Sequence, residues 1–362
     1  MRRALLFLCL AAIVAAQQQP PSQQPQSKPQ EPADPSATIK ATFQFVLAPV
    51  TVTDRDGDFV PGLAKDQFRL FDNGTPQRIE EDVAQHPLSM VLCIQANNDV
   101  SAILPQIKRL ASPFETLVMG DDGEMAVIAY DHRIQTLTGF TNDTTLIDAA
   151  FKKLYPGSYT AELNDAAMQG INMLKNRPKE RRRILILIGE NRDKGSDIPV
   201  REVLTAADFA NVYIYSIDVS QLISALTSQA MPNAPSNLPP GASGVGNQRG
   251  YIETPTTQSQ NDFGNWVPAF VDIFEAVKGV FVPNPLDVYT RYTGGRQFSF
   301  KSQKTLEHDV AQLGEELHSQ YLLTYSPNNQ TEGGWHKIVV QVMRPGLRVR
   351  TRDGYYMAAR PQ

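Results

Sequence analysis

The stretch SMVLCIQANNDVS, residues 89–101, is where the fold of this chain is decided. Its first six residues form a nearly continuous apolar run, which suits a strand covered on both faces rather than on one. It then turns abruptly to Gln, Asn and Asp, polar side chains that end a strand in a loop. Three more runs of the same kind come after it: MAVIAY at 125–130, RILILIG at 183–189 and VYIYSID at 212–218. Between and around them lie segments with helical spacing of apolar residues, at 102–112, 145–153, 163–175 and 199–211. Strand and helix in alternation predict an α/β fold with a doubly wound, mainly parallel sheet. Ligands of such sheets bind beyond the C-terminal strand ends, where Gln95 and Glu190 both fall.

Outward from this centre the pattern changes. Residues 38–86 alternate apolar and polar side chains, with strands expected near 43–53 and 68–72, and DNG at 72–74 marks a hairpin. Residues 320–362 alternate again and supply about three further strands. Neither end can close a sheet pair alone, so a β-sandwich formed by the N- and C-terminal segments is expected, with the α/β domain of residues 87–319 inserted between them. Helical spacing recurs at 266–280, 286–293 and 305–318. Residues 221–265, with PNAPSNLPPGASGVGNQRG at their centre, read as a long Pro- and Gly-rich loop.

The chain begins MRRALLFLCLAAIVAAQQQ, two arginines followed by an apolar run and small residues, which reads as a signal peptide over residues 1–16. The run is too short to span a bilayer, and no later segment qualifies as a transmembrane helix after cleavage. Export to the periplasm or the cell exterior is expected. Residues 17–37, almost all Gln, Pro, Ser and charge, are expected to be a disordered linker. Cleavage leaves Cys93 as the one cysteine, inside a core strand, so no intramolecular disulfide is available.

A net charge of -4 and a pI near 5.8 give no basis for nucleic-acid binding. The densest basic run, KERRR at 179–183, is expected to be a solvated helix end. The acidic run DRDGD at 54–58 lacks the spacing of a calcium loop and reads as a hairpin turn, and GDDGE at 120–124 reads as a turn into a strand. NRDKGSD at 191–197 lies beside the sheet crest, where Asp193 would add negative potential. Five scattered histidines show no metal-ligand spacing. His308 and His318, ten residues apart on one helix, are expected at the surface. There is no nucleophile elbow or phosphate-binding loop, so no catalytic residues are assigned and the chain is not expected to be an enzyme.

The stretches VTVTDRDGDFVPGLAKDQFRLFDNGTPQRI at 50–79, TGG at 293–295 and YLLTYSPNNQTEGGWHKIVVQVMRPGLRVRTRDGYY at 321–356 resemble a known family. It is that of secreted bacterial von Willebrand factor A-related proteins, in its acidobacterial branch, and the likeness runs over residues 43–356. The resemblance implies a von Willebrand A (Rossmann-like) domain with a metal-ion-dependent adhesion site. Such a site takes an Asp-x-Ser-x-Ser loop, a Thr in a second loop and an Asp in a third. In this sequence Gln95 stands at the first Asp, Asn97 at the first Ser, Asp99 at the second Ser, Thr160 at the Thr and Glu190 at the last Asp. The site is thus expected to be degenerate: only two of the five side chains carry charge, and Gln and Glu lengthen their arms. A weakly bound Mg²⁺, Mn²⁺ or Ca²⁺ is the alternative to a metal-free polar cluster.

The function expected is that of an exported adhesion or protein-interaction module, which presents the C-terminal sheet face to an unidentified protein partner. A structural or assembly component of the cell envelope, with a vestigial metal loop, is the alternative.

Overall fold

The computed structural model describes residues 45–82, 86–229, 267–275, 282–299, 303–329 and 332–357. Residues 1–16 and 17–37, expected to be a signal peptide and a linker, and most of the loop expected at 221–265 lie outside the described residues. Residues Phe43–Gln362 make one compact unit.

Its centre is a six-stranded sheet of β5 (Leu88–Gln95), β6 (Glu124–Tyr130), β7 (Ile134–Thr141), β8 (Arg182–Gly189), β9 (Val212–Asp218) and β10 (Gln297–Ser299). The order is β10-β9-β8-β5-β6-β7, with every pair parallel except β6 with β7. The expected parallel sheet is therefore present, and it gains two edge strands that no apolar run marks, the antiparallel, half-exposed β7 (IQTLTGFT) and the short parallel β10. Successive β5 residues face opposite cores. Met90, Leu92 and Ile94 pack with the helix Gln303–Ser319 side, whereas Val91 and Cys93 pack with the helices Leu163–Leu174 and Val200–Ala210. Burial on both faces is why no alternation shows in SMVLCI. Helices also form at Thr144–Lys152 and Pro285–Thr293, each within a residue or so of its expected bounds.

Three local expectations change. The helical stretch after β5 is broken into Leu104–Lys108, Ala111–Pro113 and a π-turn at Phe114–Met119. Residues Ser220–Gln229, expected at the start of the long loop, are helical. The run KERRR is not a solvated helix end: the helix stops at Leu174, and Arg182 is buried as the first residue of β8. Arg182 donates to the Leu317 carbonyl and to Gln320 Oε1 at 2.8 Å, while Arg177 and Arg181 clamp Glu124. Buried acceptors, invisible in a local charge count, draw the guanidinium inward.

Residues outside the central sheet build two antiparallel four-stranded sheets. One is β13-β1-β11-β4, from β1 (Val46–Thr53), β4 (Ile79–Asp82), β11 (Tyr321–Tyr325) and β13 (Arg348–Arg350). The other is β14-β12-β2-β3, from β2 (Phe68–Asp72), β3 (Thr75–Gln77), β12 (Gly334–Val342) and β14 (Gly354–Met357). Each pairs an N-terminal strand with a C-terminal one, β1 with β11 and β2 with β12. Val50, Leu323, Leu70, Ile338 and Tyr355 from the two sheets share one hydrophobic cluster. The β2–β3 hairpin turns at Asn73 (φ 47°) and Gly74 (φ 79°), the left-handed pair that the DNG signal predicts.

Within these sheets His336 is fully buried. Its Nδ1 lies 2.7 Å from Asp72 Oδ1 and its Nε2 3.0 Å from the Glu332 carbonyl. Both ring nitrogens face acceptors, so both carry protons and the ring is an imidazolium. The Tyr325 and Tyr355 hydroxyls donate to Asp72 Oδ2 at 2.9 and 2.8 Å, and Asn329 Nδ2 donates to Oδ1 at 3.3 Å. Burial opposes charge on both groups, yet hydrogen bonding holds the Asp72 carboxyl below and the His336 ring above their usual ranges.

Candidate functional site

The strand order reverses between β5 and β8, and the C-terminal ends of these two strands form the switch point, the crevice position at which sheets of this kind bind ligands. The loop after β5 supplies Gln95, Asn97 and Asp99, and the loop after β8 supplies Glu190. The closeness of the two strands is enforced at Gly189, where a Cβ would come within 2.4 Å of the Tyr130 hydroxyl and 2.6 Å of Gln95 Oε1. Any side chain there would push Gln95 out of place.

Gln95 and Asn97 are buried. Gln95 Oε1 accepts from the Glu190 backbone N–H at 2.7 Å, which fixes the orientation of the amide. Its Nε2 then donates to Asn97 Oδ1 at 2.9 Å and to Glu190 Oε2 at 3.0 Å. Asn97 Nδ2 donates in turn to Asp99 Oδ2 at 3.2 Å and to the Tyr159 carbonyl at 3.3 Å. Lys194 closes the circuit. Its Nζ lies 2.5 Å from Asp99 Oδ2 and 3.0 Å from Glu190 Oε2. The result is a ring of five side chains, Gln95, Asn97, Asp99, Lys194 and Glu190, in which each amide donor meets an acceptor.

Four of the five expected site residues are therefore brought together. Thr160 is not part of the ring: it is exposed, and its hydroxyl lies 3.2 Å from that of Ser158. The fifth ring member, Lys194, does not stand out in the sequence, where the acidic residues around it dominate NRDKGSD. No local signal identifies it: Glu190 and Lys194 lie in a loop, where a spacing of four residues implies no contact, and the ion pair forms only as the loop folds back.

Lys194 is held by its backbone as well as its head group. Its N–H and carbonyl pair with Ala161 at 2.9 and 3.2 Å, tying the third loop to the second. Asp193 does not enter the ring. It accepts from Ser196 and from the Asn164 backbone N–H, and so seats this loop on the N-terminus of the helix Leu163–Leu174. Burial draws the Lys194 ammonium down, but its hydrogen bonds to Asp99 and Glu190 outweigh this and hold it above the usual lysine range. Asp131, at the end of β6, accepts from the Ser158 backbone N–H at 3.1 Å and anchors the second loop, a role that no local motif marks.

The donor set suits a divalent ion poorly. Such an ion needs oxygens all round, whereas Gln95 and Asn97 turn N–H groups toward the two carboxylates, and a lysine lies between those carboxylates. Among the described residues no three His, Cys, Asp or Glu side chains converge as metal ligands. The second loop carries two exposed aromatics: Tyr159, 76% accessible, whose carbonyl accepts from Asn97, and Tyr155, 71% accessible, whose ring lies under the Lys108 ammonium at 4.6 Å.

No protein-family model matches the sequence, and no curated protein matches it either. Among solved structures, BatB from Bacteroides thetaiotaomicron is similar at 12% identity over 64% of this chain and 98% of its own, with a TM-score of 0.41. An aerotolerance-related membrane protein from Bacteroides fragilis covers the same shares at 13% identity and a TM-score of 0.37. Proximal thread matrix protein 1 from the mussel byssus, with a zinc-occupied MIDAS motif, reaches 11% identity and 0.41 over 67% of this chain and 49% of its own.

Proposed function

We propose that this chain is an exported, non-enzymatic protein-interaction module of the von Willebrand A type, which meets its partner with the C-terminal face of the parallel sheet. The two small sheets form the sandwich that carries this face. The observation that supports the reading is the hydrogen-bonded polar ring at the crevice with Tyr159 standing exposed beside it. Exposed tyrosines around an ordered polar centre are typical of binding surfaces, because each offers a large amphipathic area at small entropic cost.

The test is a photo-reactive phenylalanine placed at Tyr159 in cells that produce the full chain. Met343, 59% accessible at the end of β12, serves as the control. A discrete covalent adduct from position 159 and none from position 343 is expected. An adduct from position 343 alone, or from neither, overturns the proposal.

A further inference from the structure

The misfit between this crest and a divalent ion has a charged component besides the two amides. We infer that the Lys194 ammonium is a covalently tethered cation standing where an ion would otherwise neutralise Asp99 and Glu190, so the face is complete without metal. The inference rests on the interaction reading of this face, and it gives the partner's chemistry a sign.

Three observations carry it. The ammonium contacts one oxygen of each carboxylate, Asp99 Oδ2 and Glu190 Oε2, which come from loops that the fold alone brings together. Those are the only two anionic members of the ring, so whatever cation sits between them has taken an ion's electrostatic place. Second, the lysine is not a wandering surface chain: its backbone is paired with Ala161, and its side chain is 32% accessible. Third, the amides agree with an ammonium and disagree with an ion. The Glu190 N–H holds Gln95 Oε1, and the amide N–H groups therefore face Glu190 and Asn97 Oδ1. Around a metal they would place donors where ligands are needed.

The charge count sets the consequence. Two carboxylates and a divalent ion sum to zero and leave a coordination position for a partner's carboxylate. Two carboxylates and one ammonium sum to -1 and leave no such position. The partner group suited to this ring is a hydrogen-bond donor or a cation, such as a lysine or arginine side chain, and not an acidic one.

The experiment is Mn²⁺ titration of the full chain by calorimetry, with the free ion followed by electron paramagnetic resonance. It compares the natural chain, Lys194→Ala, and Lys194→Ala with Asp99→Ala. Lys194→Met, which keeps the aliphatic stem, serves if the alanine variant fails to fold. The natural chain is expected to show no saturable site at millimolar Mn²⁺, Lys194→Ala to gain one that saturates in that range, and the double variant to lose it. Saturable binding by the natural chain, lost with Asp99→Ala, overturns the inference. So does a folded Lys194→Ala or Lys194→Met chain that gains nothing. No partner is needed for this measurement, so its outcome is separate from that of the cross-linking.

Discussion

Two cations in this protein, His336 and Lys194, are each held by a carboxylate and further acceptors, and they differ in how much water reaches them. His336 and Asp72 are buried in the small sheets, with two tyrosines, the Asn329 amide and the Glu332 carbonyl as their further partners. Lys194, Asp99 and Glu190 sit at the mouth of a crevice and keep part of their surface in solvent. In the first case the surroundings cannot replace a lost partner, and in the second water can. The first cluster is therefore a matter of stability, and the second is free to serve recognition.

Breaking the buried pair gives the largest expected effect. Asp72→Ala strands an imidazolium and two tyrosine hydroxyls, and chemical denaturation should show a loss of about 3–5 kcal/mol, the range for removing one partner of a buried ion pair. A loss below about 1 kcal/mol would mean that water reaches this core. Next comes Gly189→Ala, whose added methyl meets Tyr130 and Gln95. It should cost about 1–3 kcal/mol by overpacking and, because it displaces Gln95, it should also weaken partner binding. If stability falls while binding is kept, the ring is not what the partner reads.

The two clusters also part in their pH response. The His336 ring is raised above its usual value, so its contribution is full below about pH 6.5, the ordinary histidine pKa, and is lost as pH rises through the folded-state value. The Asp72 carboxyl is lowered, so its contribution is present above its usual value and lost as pH falls through the folded-state value. Thermal melts should therefore show a plateau in the mildly acidic range and a decline above it. The decline should be absent in His336→Gln; a decline that survives that substitution would place the titrating group elsewhere. The smallest effect is expected at the crevice. Lys194→Ala should change stability by less than about 1 kcal/mol, as exposed pairs do. A larger loss would make the ring a structural clamp.

The same contrast explains what could be read in the sequence. The central sheet was legible because its strands are buried on both faces, so SMVLCI, RILILIG and VYIYSID need no context to be recognised. Gln95 and Glu190 were legible because the sheet pattern puts them at C-terminal strand ends, whereas Asn97 and Asp99 were marked only by the family resemblance. Lys194 was not legible, because its partners lie in the loops of two different strands and only the closed sheet brings them within reach. Arg182 and His336 were missed for a related reason. Each is buried by acceptors distant in sequence, Leu317 and Gln320 for the first and Asp72 for the second, and a local count of charge or histidine spacing cannot see them. The break in the helix after β5 and the helix at Ser220–Gln229 likewise depend on what packs around them.

The central claim is that the ion position at the crest belongs to Lys194. A crystal of the full chain grown in millimolar MnCl₂ and measured at the manganese edge tests it directly. The account predicts Lys194 Nζ bridging Asp99 and Glu190 with no anomalous peak between the carboxylates. A manganese peak there, with the lysine side chain turned away, would contradict it.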